Sequence, residues 1–279
     1  MTRSGAAPDH GDSPAGADVA RASLTRVSDA MLGGKDNFRV DRDVQARMLA
    51  LDPEFARATF DRRAFVLRVA RHLTAEAGIT QFLYCGTTLP EDENTHDIAQ
   101  RASSESSTVY ISTDVTVLAH GRALLANNDR AHMAEADFRD PGQVLRHPTV
   151  TKYLDFDQPI GVFHVGTMHH VPDSADPARV FAAYVDAISS GSYVAVAQFL
   201  APDPGDELAD LAGELTKLYD ESGASAWFRT REQITGMLSG LDLLEPGLVP
   251  LADWWPDGPR VRPLGPTQRI AVGGLGRKP

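Results

Sequence analysis

The sequence predicts an α/β fold built on a parallel, doubly wound sheet, and three observations carry that reading. From residue 78 onward, five short apolar runs alternate with four helical segments. The C-terminal end then offers two further strands with no helix between them. Ahead of all this lies a section whose apolar residues recur at helical spacing. Strands alternating with helices connect most readily through right-handed crossovers, which gives a parallel sheet. A strand pair joined without a helix is more naturally antiparallel.

In chain order, residues 1–19 (MTRSGAAPDHGDSPAGADV) hold little that could be buried and read as a disordered leader. Residues 20–77 read as a helical cap interrupted by a Gly33-Gly34 loop. Its clearest helix covers 53–77, with Phe55, Val66, Val69 and Leu73 on one side and Phe65 at the edge. Phe60 falls off that stripe, so a break or two-sided burial is expected there. The five strands are expected over 79–85, 108–112, 132–136, 160–165 and 192–199, with helices over 94–103, 116–127, 141–147 and 176–189. A helical insertion about 201–230 and a helix over 231–239 follow, then strands over 241–249 and 268–273. The sum is a seven-stranded sheet within a unit spanning 78–279.

Composition narrows the function. Acidic side chains exceed basic ones to give a net charge of −11, and no basic stripe interrupts this, so nucleic acid is not an expected partner. No apolar run approaches the roughly 20 residues needed to cross a bilayer, and nothing resembles an export signal. The lone Cys85 excludes an internal disulfide and fits a cytoplasmic location. A small-molecule substrate is the expected partner, and self-association is compatible with the sequence.

In an open α/β sheet, ligands lie beyond the carboxyl ends of the strands. The first such loop, Tyr84-Cys85-Gly86-Thr87-Thr88, has one glycine where a nucleotide-binding turn normally has two. After the second strand come Ser112 and, two residues on, Asp114. Asp137 follows the third, and Met168-His169-His170 the fourth. His169 titrates near neutrality and is a candidate general acid or base. Tyr84 could either point its hydroxyl into the site or fill it. His164, His169 and His170 lack the spacing of a zinc motif, so no metal is expected. Cys85 reads as a small buried hydrophobe. Lys35, Asp36 and Asn37 form either a polar lid or a capped turn.

These residues resemble the bacterial family of class I S-adenosylmethionine-dependent methyltransferases marked by an N-terminal LLGGKDN-x-x-x-DR signature. The matches are Leu32-Gly33-Gly34-Lys35-Asp36-Asn37-Phe38 with Asp41-Arg42, Gly86-Thr87 with Leu89-Pro90, Asn94 and His96, Ala136-Asp137 with Arg139-Asp140-Pro141, His169 with Val171-Pro172-Asp173, and Leu244 to Val249. The resemblance implies a class I methyltransferase-like (Rossmann-like) fold with S-adenosylmethionine over Gly86 and Thr87. It further implies a carboxylate on the ribose at the end of strand two, Asp137 beside the adenine, and Lys35, Asp36 and Asn37 near the site mouth.

The chain departs from that pattern at Tyr84, Thr88 and Ser112, and at Ser28 and Ala30, where the signature is aromatic. Losing a charge-assisted bond to the ribose costs on the order of 1.5–3 kcal/mol. A β-branched residue in place of a turn glycine costs about 1–2 kcal/mol more. Together they would take a micromolar cofactor site to about millimolar. The sequence therefore leans toward an enzyme of natural-product biosynthesis that uses this scaffold for another reaction, such as cyclisation or isomerisation. The alternative is a genuine O- or N-methyltransferase in which Asp114 supplies the ribose carboxylate. A scaffold without catalysis, its pocket filled by Tyr84, is the third reading.

Overall fold

The structure, a computed structural model, describes residues 20–86 and 93–279. The expected leader over 1–19, and Thr87 and Thr88, lie outside the described residues. Three helices come first, α1 (Leu24–Met31), α2 (Arg39–Leu51) and α3 (Phe55–Ala75). The expected stripe of α3 is buried, with Phe65, Val69 and Leu73 fully enclosed. Phe60 neither breaks nor doubly buries the helix; it is half exposed on the solvent side. The cap is tied internally by a buried ion pair, Arg26 Nε to Asp41 Oδ2 at 2.8 Å, which links α1 to α2.

The alternating section follows as β1 (Gln81–Cys85), α4 (Thr95–Ala102), β2 (Ser107–Ser112), α5 (Val115–Leu124) and β3 (Ala131–Glu135). It continues as α6 (Pro141–Leu145), α7 (Pro148–Tyr153), β4 (Gly161–Val165), α8 (Pro177–Ala187) and β5 (Tyr193–Phe199). The single helix expected over 141–147 is two short ones, because Pro148 opens a new first turn and His147 Nδ1 accepts from Thr149 N. Then come α9 (Ala209–Glu221), α10 (Arg231–Met237), β6 (Asp242–Leu243), β7 (Val249–Pro250), α11 (Pro266–Ile270) and β8 (Ala271–Arg277).

The sheet runs β3-β2-β1-β4-β5-β8, with β6 and β7 both on the outer edge of β8. The first five strands are parallel and β8 is antiparallel to β5. Seven strand positions are thus present, with two corrections to the expected bounds. The strand expected over 241–249 is split into β6 and β7, since Pro246 has no N–H for a ladder and Gly247 takes a positive φ of 79°. The strand expected over 268–273 begins as α11. Pro266 starts that helix, and Gln268 Oε1 accepts from Gly265 N, so the strand opens only at Ala271.

Two cores sandwich the sheet. Phe82, Tyr84, Phe163 and Ala195 pack against α3 and α4 on one face. Leu83, Cys85, Val162 and Val194 pack against α8 and α10 on the other. A third cluster joins α1 and α2 to the α9 insertion through Val27, Met31, Met48, Leu215 and Tyr219. The cap and the insertion thereby roof the carboxyl ends of the parallel strands.

Candidate active site

Strand order reverses between β1 and β4, and the cavity under the cap opens at that point. Its floor includes Gly86, Ser112, Thr113, Asp114, Val165, Gly166 and His169. Its roof includes Thr25, Ser28 and Met31 of α1, with Arg62 of α3 reaching in from the side. Gly86 is required twice over: its φ is +71°, and a Cβ there would lie 2.3 Å from Thr167 Cγ2.

At the β2 end, Asp114 caps α5. Its Oδ1 accepts from Thr116 N at 2.8 Å and Val117 N at 3.3 Å, and its Oδ2 accepts from the Ser23 hydroxyl at the start of the cap. Ser112 Oγ accepts from Asp114 N at 3.1 Å, so Ser112 holds the loop that presents the carboxylate. Asp137 is placed differently from the expectation. Its carboxylate is gripped in bidentate fashion by Arg139, two residues on, and does not line the cavity. Burial pushes its carboxyl up, but Arg139 prevails and holds it below the ordinary value. Phe138 lines the cavity instead.

At the β4 end, a turn of 3-10 helix (Met168–His170) presents His169. The buried Arg229 fixes this turn by donating to Met168 O at 2.9 Å and Val171 O at 2.6 Å, and Trp227 N donates to His169 O. His169 is 4% exposed, and its Nδ1 has no hydrogen-bond partner among the described residues. Burial, reinforced by His170, Arg62 and Arg229, drives its pKa well below the ordinary histidine value. The imidazole is therefore neutral at pH 7. His170 is pushed down to about 4, mainly by burial, while its Nδ1–H donates to Ser225 O at 2.8 Å.

Four other expected site residues lie elsewhere. Tyr84 stacks on Phe163 at 5.3 Å inside the α3-side core and does not line the cavity, so it neither reaches substrate nor fills the site. Its hydroxyl pKa is pushed up to about 12 by burial, with the nearby Arg62 charge opposing. Asn37 closes a turn, donating to Asp29 Oδ2 at 2.8 Å and Gly34 O at 3.1 Å, and Asp36 faces His120 at 3.3 Å. Lys35 is exposed, and none of Lys35, Asp36 and Asn37 lines the cavity. Cys85 is buried against Tyr184 on the opposite face, its thiol pKa raised by burial. Among the described residues no cluster of three His, Cys, Asp or Glu could hold a metal, and no helix is long and apolar enough to cross a membrane.

Arg62 was not expected at the site, though the sequence carried its signal. It falls between Thr59 and Phe65 on the buried stripe of α3, where a charged residue is out of pattern. Its Nη2 donates to Ser28 Oγ at 2.6 Å.

A parallel sheet reversing between β1 and β4, an antiparallel strand beyond β5, and a ligand cavity over β1, β2 and β4 define a class I methyltransferase-like fold. The profile of a family described as S-adenosyl methyltransferase matches residues 11–279, and the chain belongs to that family. No curated protein matches it. Among solved structures it is similar to a candidate methyltransferase from Thermobifida fusca YX, at 36% identity over 95% of this chain and 98% of that one, with a TM-score of 0.88. It is also similar to a DUF574 family protein from Streptomyces avermitilis, at 30% identity over 94% and 99%, with a TM-score of 0.86. A S-adenosylmethionine-dependent methyltransferase from Anabaena variabilis shares the fold at 12% identity over 85% and 95%, with a TM-score of 0.50.

Proposed function

We propose that the chain is a methyltransferase that binds S-adenosylmethionine over β1 and β2 and acts on a small-molecule acceptor held beside β4. The observation that carries this reading is the placement of Asp114. Its carboxylate lines the cavity at the carboxyl end of β2, where a ribose diol is gripped in this fold, although the strand itself ends in Ser112. The residues present fit the nucleoside: Asp114 for the ribose, Phe138 as an apolar wall, and the Gly86 turn for close backbone approach. Bound there, S-adenosylmethionine supplies a methyl group on a sulfonium centre. The chain's part is to exclude water under α1, to orient the acceptor, and to take its proton. His169, whose imidazole lines this side of the cavity, is the group proposed to accept that proton.

A second reading, the scaffold turned to cyclisation or isomerisation without the cofactor, draws on one observation: both oxygens of Asp114 already have protein partners. Calorimetric titration with S-adenosylmethionine and S-adenosylhomocysteine separates the two, after checking for cofactor carried through purification. Micromolar binding supports methyl transfer. No binding up to millimolar concentration overturns it, and conversion of biosynthetic intermediates without cofactor would then be the measurement to make.

A further inference from the structure

Beside the main cavity, a chamber over the ends of β4 and β5 holds a cation with no anion. Arg62 lines both spaces. It donates to the Ser28 hydroxyl, and no carboxylate pairs with it among the described residues. By contrast, Arg26, Arg57, Arg139 and Arg229 are paired with Asp41, Glu54, Asp137 and Asp173. Among the described residues no acidic one lines the chamber. A guanidinium in such a place keeps most of its planar fork of donors free, and that fork matches a carboxylate in bidentate fashion.

The chamber, about 50 Å³, adjoins the main cavity and shares Phe55, Arg62 and His169 with it, so the two spaces together take a flat apolar body with one reactive polar group. Phe55, Phe199 and Leu251 supply apolar walls, and His169, packed on Phe199 at 4.9 Å, places its imidazole in the lining. We propose that this chamber is an acceptor subsite for a small aromatic carboxylate, its carboxylate on Arg62 and its hydroxyl or amine toward His169. The proposal rests on the methyl-transfer reading for the word acceptor, but the carboxylate site stands on its own residues. An S-adenosyl ligand also carries a carboxylate. The chamber's walls come from α3, the loop after β4, β5, α9, the turn at Leu251 and β8, not from the β1, β2 and β3 ends around Asp114, which assigns the site to the acceptor.

The test uses the full chain and five probes in calorimetry: benzoate, salicylate, neutral benzamide, S-adenosylhomocysteine, and 5′-methylthioadenosine, which has no carboxylate. In the unaltered protein, benzoate and salicylate are expected to bind at least about tenfold more tightly than benzamide. Arg62→Gln is expected to abolish that preference and leave both nucleosides unchanged, while Arg62→Lys restores part of it. Equal binding of benzoate and benzamide by the unaltered protein overturns the proposal without any variant. A loss for S-adenosylhomocysteine alone in Arg62→Gln also overturns it, by giving Arg62 to the cofactor. Retained benzoate selectivity with no nucleoside binding would remove the methyl-transfer reading and support the carboxylate site.

Discussion

The two ends of the cavity handle their polar groups in opposite ways. Over β2, Asp114 and Ser112 are supplied with partners by the protein: two amides of α5, the Ser23 hydroxyl, and the Asp114 amide. Over β4, among the described residues, His169 Nδ1 has none and Arg62 has a single hydroxyl. Arg62 lines the cavity with most of its donor fork unused, which is where a ligand can add hydrogen bonds. The satisfied end carries its own lesson. One of its partners, Ser23, belongs to the cap rather than to the sheet, so its bond can be exchanged without disturbing the strands.

That contrast depends on the cap staying seated, and the largest effect is expected from unseating it. Asp41 accepts from Arg26 Nε, Ser23 N and Phe38 N, all near 2.9 Å, and is fully buried. Asp41→Ala leaves Arg26 charged and buried, and should cost about 3–5 kcal/mol of stability, measured by denaturant unfolding. A double replacement of Arg26 and Asp41 by apolar residues should recover part of it. If Asp41→Ala unfolds no earlier than the unaltered protein, the cap is not held by this pair.

Acid should act next, through the β4 side. Burial pushes His164 down to about 3 and His170 to about 4, against an ordinary value near 6.5 in the unfolded chain. As pH falls below 6.5, the unfolded state takes up protons that the native state refuses, so stability falls. Each histidine contributes about 1.4 kcal/mol per pH unit, down to its own folded value. Above pH 7 neither contributes. His164→Leu should flatten the decline between pH 6 and 4 in thermal melts, and an unchanged slope would clear His164 of the effect.

Strands were legible because each is a short apolar run with a clear end, and α3 because its stripe keeps helical spacing over five turns. The errors have local causes. Alternation along β1 sends Tyr84 to the same side as Phe82, into the α3 core, so its position before the loop misleads. Asp137 looked free because its captor, Arg139, is a side-chain partner that spacing cannot announce. The Lys35-Asp36-Asn37 segment reads equally well as lid or turn until Asp29 and Gly34 are seen to hold Asn37. Arg62 shows the reverse case, a charge set in an apolar stripe, where the misfit was itself the signal.

Within the satisfied end, Asp114→Ala asks whether the carboxylate serves a ligand or only α5. Loss of a charged hydrogen bond to a ribose predicts about 1.5–3 kcal/mol weaker binding of S-adenosylhomocysteine, while the lost helix cap predicts about 1 kcal/mol less stability. Weakened stability with unchanged nucleoside affinity would reduce Asp114 to a cap. Asp114→Asn keeps the acceptor for the helix amides and removes the charge, so it should retain the stability and lose most of the affinity.

The finest distinction concerns Ser23. If its hydroxyl occupies the oxygen that a ribose would use, a ligand must displace it, and the displaced bond is subtracted from the affinity. Ser23→Ala should therefore tighten nucleoside binding by an amount within the net worth of one hydrogen bond, about 0.5–1.5 kcal/mol or a few-fold. Thermal stability should fall slightly over the same change, because the cap loses a tether. Tighter binding together with a lower melting temperature is a pair of signs that a purely structural serine does not produce. Weaker binding would instead make Ser23 part of the ligand's own contacts, and the β2 end would then close around the nucleoside rather than open to admit it.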